Sequence, residues 1–166
     1  MVRQFKFRDW RKKPRTMLRF IKPGDIFSFQ IEDNLFGFGQ IIADSMMGHS
    51  AEIFNYFNSS PEISKDNIIG AKRLISPIIL DSYTLFDKKL EGDWRIIGHE
   101  ENYNPKDIDG FFFKYGDPIL KKVDLLGSVT STNAKEAEKY PYYTSQSDYD
   151  IKNLIQLQSL ENGTND

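Results

Sequence analysis

Two histidines, His49 and His99, are present, so any imidazole chemistry runs through one of them. Neither has a partner at metal-ligand spacing, and no His-Glu-x-x-His run occurs. His99 closes the segment Trp94-Arg95-Ile96-Ile97-Gly98-His99, where a strand-end histidine satisfied by a neighbour is the plain reading. His49 falls in a stretch of small residues and methionines that reads as a flexible loop, where it could act as a base or a phosphate contact. Carboxylates come in close pairs: Glu100 with Glu101, Asp107 with Asp109, Asp148 with Asp150. Such a pair performs acid–base hydrolysis when the fold sets the right separation, and otherwise forms a solvated acidic face. No Gly-x-Ser-x-Gly elbow and no P-loop occurs. Gly37-Phe38-Gly39 is a fragment of a dinucleotide fingerprint, without the third glycine or the helix that should follow. Cysteine is absent, which excludes disulfides, thiolate metal sites and cysteine nucleophiles. No cofactor, metal or catalytic set is expected, although an enzyme can still gather its groups from distant positions.

The elements that must position these residues read as strands first and helices last. Lys22-Pro23-Gly24-Asp25 is a turn signal, with Pro and Gly in their usual places. Residues 26–31 follow as the best strand in the chain, with Phe27, Phe29 and Ile31 on one face. Glu32-Asp33-Asn34 is a polar turn, and residues 35–43 read as the returning strand of a hairpin. Gly37 and Gly39 share a face of that strand, which marks a bulge, a sharp coil or the close approach of another backbone. Further strands are expected at 51–57, 77–86, 94–99, 111–115 and 119–124, with polar loops at 44–50, 58–67 and 100–110 and a charged turn at 87–93. Residues 133–139 read as a short helix and 148–160 as a longer one, with Ile151, Leu154, Ile155 and Leu157 forming its apolar stripe. The fold class expected is α+β, β-dominated: a curled antiparallel sheet or partly open SH3-like barrel with a C-terminal helix.

Composition frames the function classes. A chain of 166 residues, 39% hydrophobic and 28% charged, is globular and large enough to fold without a disulfide or metal staple. Its 13 phenylalanines favour half-buried pleated surfaces. No apolar run resembles a signal peptide or a membrane span, so the cytoplasm is the expected compartment. The net charge of −2 hides an asymmetry. Residues 1–22 carry nine basic side chains and one acid, net +8, whereas the rest carries net −10. We therefore read residues 1–22 as a basic N-terminal arm, 23–160 as one β-rich domain and 161–166 as a frayed tail. The arm can contact nucleic acid, fold onto its own acidic body or stay solvated. Phe5, Phe7, Trp10 and Phe20 interleave with its charges, as rings for base stacking or as pins onto the domain, and pinning is the favoured reading.

The segment Lys22-Pro23-Gly24-Asp25-Ile26-Phe27, followed by Phe36-Gly37-Phe38-Gly39-Gln40-Ile41-Ile42, resembles the start of the immunity protein 26 (Imm26) family of bacterial polymorphic-toxin systems. Gly24, Asp25, Phe27, Gly37, Gly39 and Gln40 match its pattern. Ala51-Glu52-Ile53-Phe54 and Trp94-Arg95-Ile96-Ile97-Gly98 are also similar, so the likeness covers roughly residues 12 to 125. The resemblance implies a protein that binds and neutralises a cognate toxin, often a nuclease in such systems, with no catalytic residues to carry over. It also implies structural roles: Gly24, Gly37 and Gly39 shaping the hairpin, Phe27 and Trp94 filling the core, and Asp25 within the opening turn.

An inhibitor with an acidic face suits the basic cleft of a nuclease and associates quickly by electrostatic steering. The expected contact residues are Glu100, Glu101, Asp107 and Asp109, with Tyr103 as an aromatic anchor. The alternative for these residues is a solvated loop beside a structural tyrosine. Two other functions compete: a nucleic-acid-binding small barrel using the basic arm, and, ranked last, a hydrolase with a dispersed acidic site.

Overall fold

The structure, a computed structural model, describes residues 2–11, 20–87 and 92–163. Four of the arm's nine cations, at 12–19, much of the expected charged turn, at 88–91, and the last three residues lie outside the described part. The chain runs β1 (Gln4–Phe7), β2 (Asp25–Glu32), β3 (Leu35–Ser45), β4 (Gly48–Asn58), α1 (Lys65–Gly70), β5 (Ile78–Leu80), α2 (Ser82–Leu85), β6 (Trp94–Glu101), β7 (Phe112–Tyr115), β8 (Lys121–Asp124), β9 (Val129–Ser131), α3 (Ala134–Ala137), β10 (Ser145–Gln146) and α4 (Asp148–Gly163). Seven strands form one sheet in the order β1-β6-β2-β3-β4-β5-β10, and β7-β8-β9 form a second. All pairings are antiparallel except β10 on β5. Register shifts between Ile26 and Phe27, Gln30 and Glu32, Gly37 and Gly39, and Ile41 and Ala43 bend the central strands. The sheet is curled and open, and the molecule is α+β and β-dominated with a C-terminal helix, as expected.

The β2–β3 hairpin forms because its turn and its faces agree. Asn34 takes φ +59° in the turn, a conformation asparagine tolerates. Phe27 pairs with Gly39 and Phe29 with Gly37, and both rings fold over the glycines. A β-carbon on Gly39 would overlap the Phe27 ring and the Glu52 carbonyl oxygen, and one on Gly37 would overlap the Phe29 ring. Trp94 stacks on Phe29, with ring centres 4.3 Å apart at 10°, and Phe86 meets Trp94 edge-on at 6.1 Å. Such aromatic pairs add about 0.5–1.5 kcal/mol each beyond their buried area. Ile151 and Ile155 of α4 close this layer. The opposite face of the hairpin buries Ile26, Phe36 and Phe38 with Ile97 and Ile68, and a third cluster around Ile42, Ile79, Phe113 and Val123 joins the two sheets.

Several elements differ from the sequence reading. The expected loop at 44–50 is a two-residue turn, Met46-Met47, between the ends of β3 and β4. Residues 77–86 do not form one strand: β5 pairs with β4 at His49, Ser50 and Ala51, runs out of partner where β4 begins, and turns into α2. Within the polar loop at 58–67 the helix α1 starts, capped by the Ser64 hydroxyl, which accepts from the Asn67 amide at 3.1 Å. Along α4, Ile151 and Ile155 are buried and Leu154 packs beside them, but Leu157 is 51% exposed because the helix leaves the sheet after its second turn. Ser147 and Asp150 cap the α4 start reciprocally, with Ser147 N to Asp150 Oδ2 at 3.0 Å and Asp150 N to Ser147 Oγ at 3.2 Å.

The glycine–phenylalanine interlock sets a stability test. Gly39→Ala is expected to cost about 1–3 kcal/mol in denaturant unfolding, the usual penalty for overpacking. Gly70→Ala, at the end of α1 with nothing near its β-carbon position, should be neutral or stabilising by up to about 1 kcal/mol. Equal effects at the two positions would show that ring burial over β3 does not restrict Gly39.

Candidate functional site

Five of the residues singled out in the sequence, Gly24, Asp25, Gln40, His99 and Glu100, gather at the end of β6, where the opening turn is seated. Gly24 takes φ +92°, and its β-carbon position lies 2.7 Å from the Tyr103 Cβ and 2.9 Å from the Glu100 carbonyl oxygen, so only glycine fits. Its amide donates to Ile41 O at 2.9 Å and its carbonyl accepts from the Glu100 amide at 2.9 Å. Asp25, fully buried, accepts from the Lys22 amide at 3.1 Å and faces His99 Nδ1 at 2.9 Å. Gln40 donates to Glu100 Oε2 at 2.8 Å and to the Gly24 carbonyl at 3.3 Å. Arg3 grips the same carboxylate with two bonds, Nε to Oε1 at 2.6 Å and Nη2 to Oε2 at 2.9 Å.

This junction decides what the arm does within its described part. β1 pairs with β6, with Gln4 opposite Glu101 and Phe7 opposite Gly98. Lys6 pairs with Glu101, and Trp10 packs edge-on against Phe36 at 5.4 Å while Arg95 lies 4.1 Å over its ring. Phe5 and Trp10 therefore pin the arm to the body, while Phe7 and Phe20 stay about half exposed. The Arg3 contact was not legible in sequence, because Arg3 and Glu100 are 97 positions apart.

The five expected contact residues take different positions. Glu100 is 5% exposed and occupied by Arg3 and Gln40, so its carboxylate serves the interior. Burial pushes the Glu100 carboxyl up, but the hydrogen bonds from Arg3 and Gln40 outweigh it and hold it below its ordinary 4.5. Tyr103 is half-buried against Gly24, and burial pushes its phenol pKa up. Glu101 is half-buried beside Lys6. Asp107 and Asp109 are exposed, and Asp107 takes φ +54°. Their loop is held from below: Arg73 pairs with Glu52 at 2.7 Å and donates to the Lys106 carbonyl at 2.9 Å and to the Asp107 carbonyl.

His49 belongs to β4 rather than to a flexible loop, and it is 4% exposed. Its Nδ1 lies 2.7 Å from Ser82 Oγ and its Nε2 lies 3.1 Å from Asp44 Oδ1. These are the residue types of a hydrolytic triad with accessibility reversed, because the serine is 1% exposed and the Asp44 side chain 79%. A buried hydroxyl cannot attack a substrate, so this chain of bonds ties α2 to β4 instead. Burial lowers the His49 pKa against the opposing pull of Asp44. Among the described residues no group of three or more His, Asp or Glu is placed to hold a metal. No described helix is long and apolar enough to cross a membrane.

A family model described as immunity protein 26 matches residues 22–125. The chain belongs to the immunity protein 26 family. The match spans β2 to β8, the region that holds Gly24, Asp25, Phe27, Gly37, Gly39, Gln40 and Trp94. No curated protein and no solved structure matches the chain. In this family member Gly37 and Gly39 admit the phenylalanine rings, Gly24 admits the turn, and Asp25 and Gln40 hydrogen-bond within the junction.

The junction predicts an acid-sensitive edge. A carboxylate with a lowered folded pKa contributes stability above its unfolded value, near 4.5, and that contribution is lost as pH falls through the folded value. Glu101, lowered beside Lys6, acts in the same direction. Amides of β1 are therefore expected to lose hydrogen-exchange protection, after correction for intrinsic rates, as pH falls below about 4.5. Glu100→Gln should weaken β1 protection at neutral pH and flatten this dependence. Unchanged protection in the variant would show that the Arg3–Glu100 pair does not hold the strand.

Proposed function

We propose that this protein binds a cognate protein toxin in the bacterial cytoplasm and neutralises it by covering the toxin's working surface. The observation that carries the reading is the family match over residues 22–125. The geometry supports it, because the most chemically suggestive groups, Asp25 with His99 and His49 with Ser82, are engaged inside the scaffold. A nuclease is the partner that best suits the acidic body, since a protein that binds polyanions presents a basic cleft. The exposed carboxylates of Asp107 and Asp109, on a loop braced by Arg73, are the steering part of the contact set. Rim charges of this kind act mainly on association rate.

Co-expression with the product of the adjacent reading frame, where the reading expects the toxin, tests it. The two proteins are expected to co-purify, and cells expressing both should grow where toxin alone arrests them. Absence of both a complex and protection would sink the proposal. Asp107→Asn combined with Asp109→Asn should slow association about three- to tenfold at low salt and converge on wild type at high salt.

A further inference from the structure

Three short segments meet at one corner of the main sheet. The Met46-Met47 turn lies against the start of α2, because the β-carbon position of Gly48 faces the Leu80 carbonyl and the Ser82 amide. β10 runs parallel to β5, with Gln146 beside Leu80, so the two strand ends release α2 and α4 next to each other. The Asp81 amide donates to the Gln146 carbonyl at 2.9 Å, fixing this arrangement. Tyr83 and Tyr149 are each the second residue of their helices. Met46 is 95% exposed, Tyr83 70%, Tyr149 77% and Met47 42%. Large exposed side chains of these two types are enriched where proteins bind one another.

Charge decides the occupant. Residues 23–64, 74–87 and 140–151, which supply the corner, contain no lysine or arginine. They contribute Asp44, exposed, and Asp81, half-buried. The next cation along α4, Lys152, is held by Asp93 at 3.0 Å and Asp148 at 2.8 Å. Among the described residues the corner is thus anionic, with exposed tyrosines whose ring faces attract guanidinium and ammonium groups, while its charge repels a polyanion. We infer that this corner is the anchoring surface for a cationic protein, with Met46, Tyr83 and Tyr149 packing against its arginine and lysine side chains. The inference rests on the toxin-binding reading and assigns its main contact to this corner, while the Asp107–Asp109 loop steers.

The test is calorimetric titration of the full chain with the product of the adjacent reading frame, the toxin on the proposed reading. Tyr83→Ala and Tyr149→Ala are each expected to weaken binding about tenfold or more, as anchor residues do. Met46→Lys should weaken it at least as much, by placing a like charge against the partner. All three positions are exposed, so thermal melting should match wild type, which separates lost contact from lost fold. Corner variants within about twofold of a tightly binding wild type would overturn the inference and leave the immunity reading standing. A loss confined to the Asp107 and Asp109 variants would overturn it by placing the anchor on the loop. Conversion of a self-associated wild type to monomer, with toxin affinity intact, would show that a second copy covers the corner and would also overturn it. A wild type that neither binds the toxin nor protects against it would remove the immunity reading and this inference together.

Discussion

Two phenylalanine rings occupy the space that β-carbons on the facing strand would need. Phe27 lies over Gly39 and Phe29 over Gly37, and Trp94 and Phe86 pack onto the same rings. The interlock sets the register of the hairpin, because a slip of one residue would move both rings off the glycines and onto the opposite face. β6 takes its place from Trp94, and α4 follows from β6 through the Trp94 Nε1 bond to Asp148 at 2.7 Å. The order of the central strands and the docking of the terminal helix thus descend from one local packing arrangement.

A polar junction completes the other end of the same strands. Gly24, Asp25 and Gln40, drawn from the hairpin, meet His99 and Glu100 at the end of β6, and Arg3 closes the group from β1. Buried carboxylates are costly unless paired, and here Glu100 has three hydrogen bonds from two side chains. The residues that would have been read as acid–base machinery therefore hold the N-terminal strand on the sheet. Exposed acidic charge is found elsewhere, at Asp107 and Asp109 on the braced loop and at Asp44 in the corner beside α2.

Periodicity carried the central strands well. Alternation in 26–31 and the spaced glycines of 35–43 describe a strand pair whose partner faces are local, so their signal survives without tertiary information. The misread elements are those whose boundaries depend on a distant partner. β5 stops where β4 begins, and α2 then starts from residues that favour strands, because Ser82 bonds His49 33 positions away. α1 buries Ile68 as its only fully covered side chain, so it lacks the repeating apolar stripe that marks a helix.

By itself the sequence determined the β-dominated class, the curled opening hairpin, the C-terminal helix and the family, because each rests on short-range patterns of apolar, glycine and turn residues. Only the tertiary structure decided which charged and aromatic side chains face solvent. Glu100 and Asp107 look alike along the chain, yet one is gripped by Arg3 inside the junction and the other stands on an exposed loop. Tyr83, Tyr149 and Met46 share no sequence motif, and the segments that carry them come to one corner through a parallel strand pair and a tight turn. Burial and neighbourhood are set by contacts between residues far apart in the chain, which local composition does not encode.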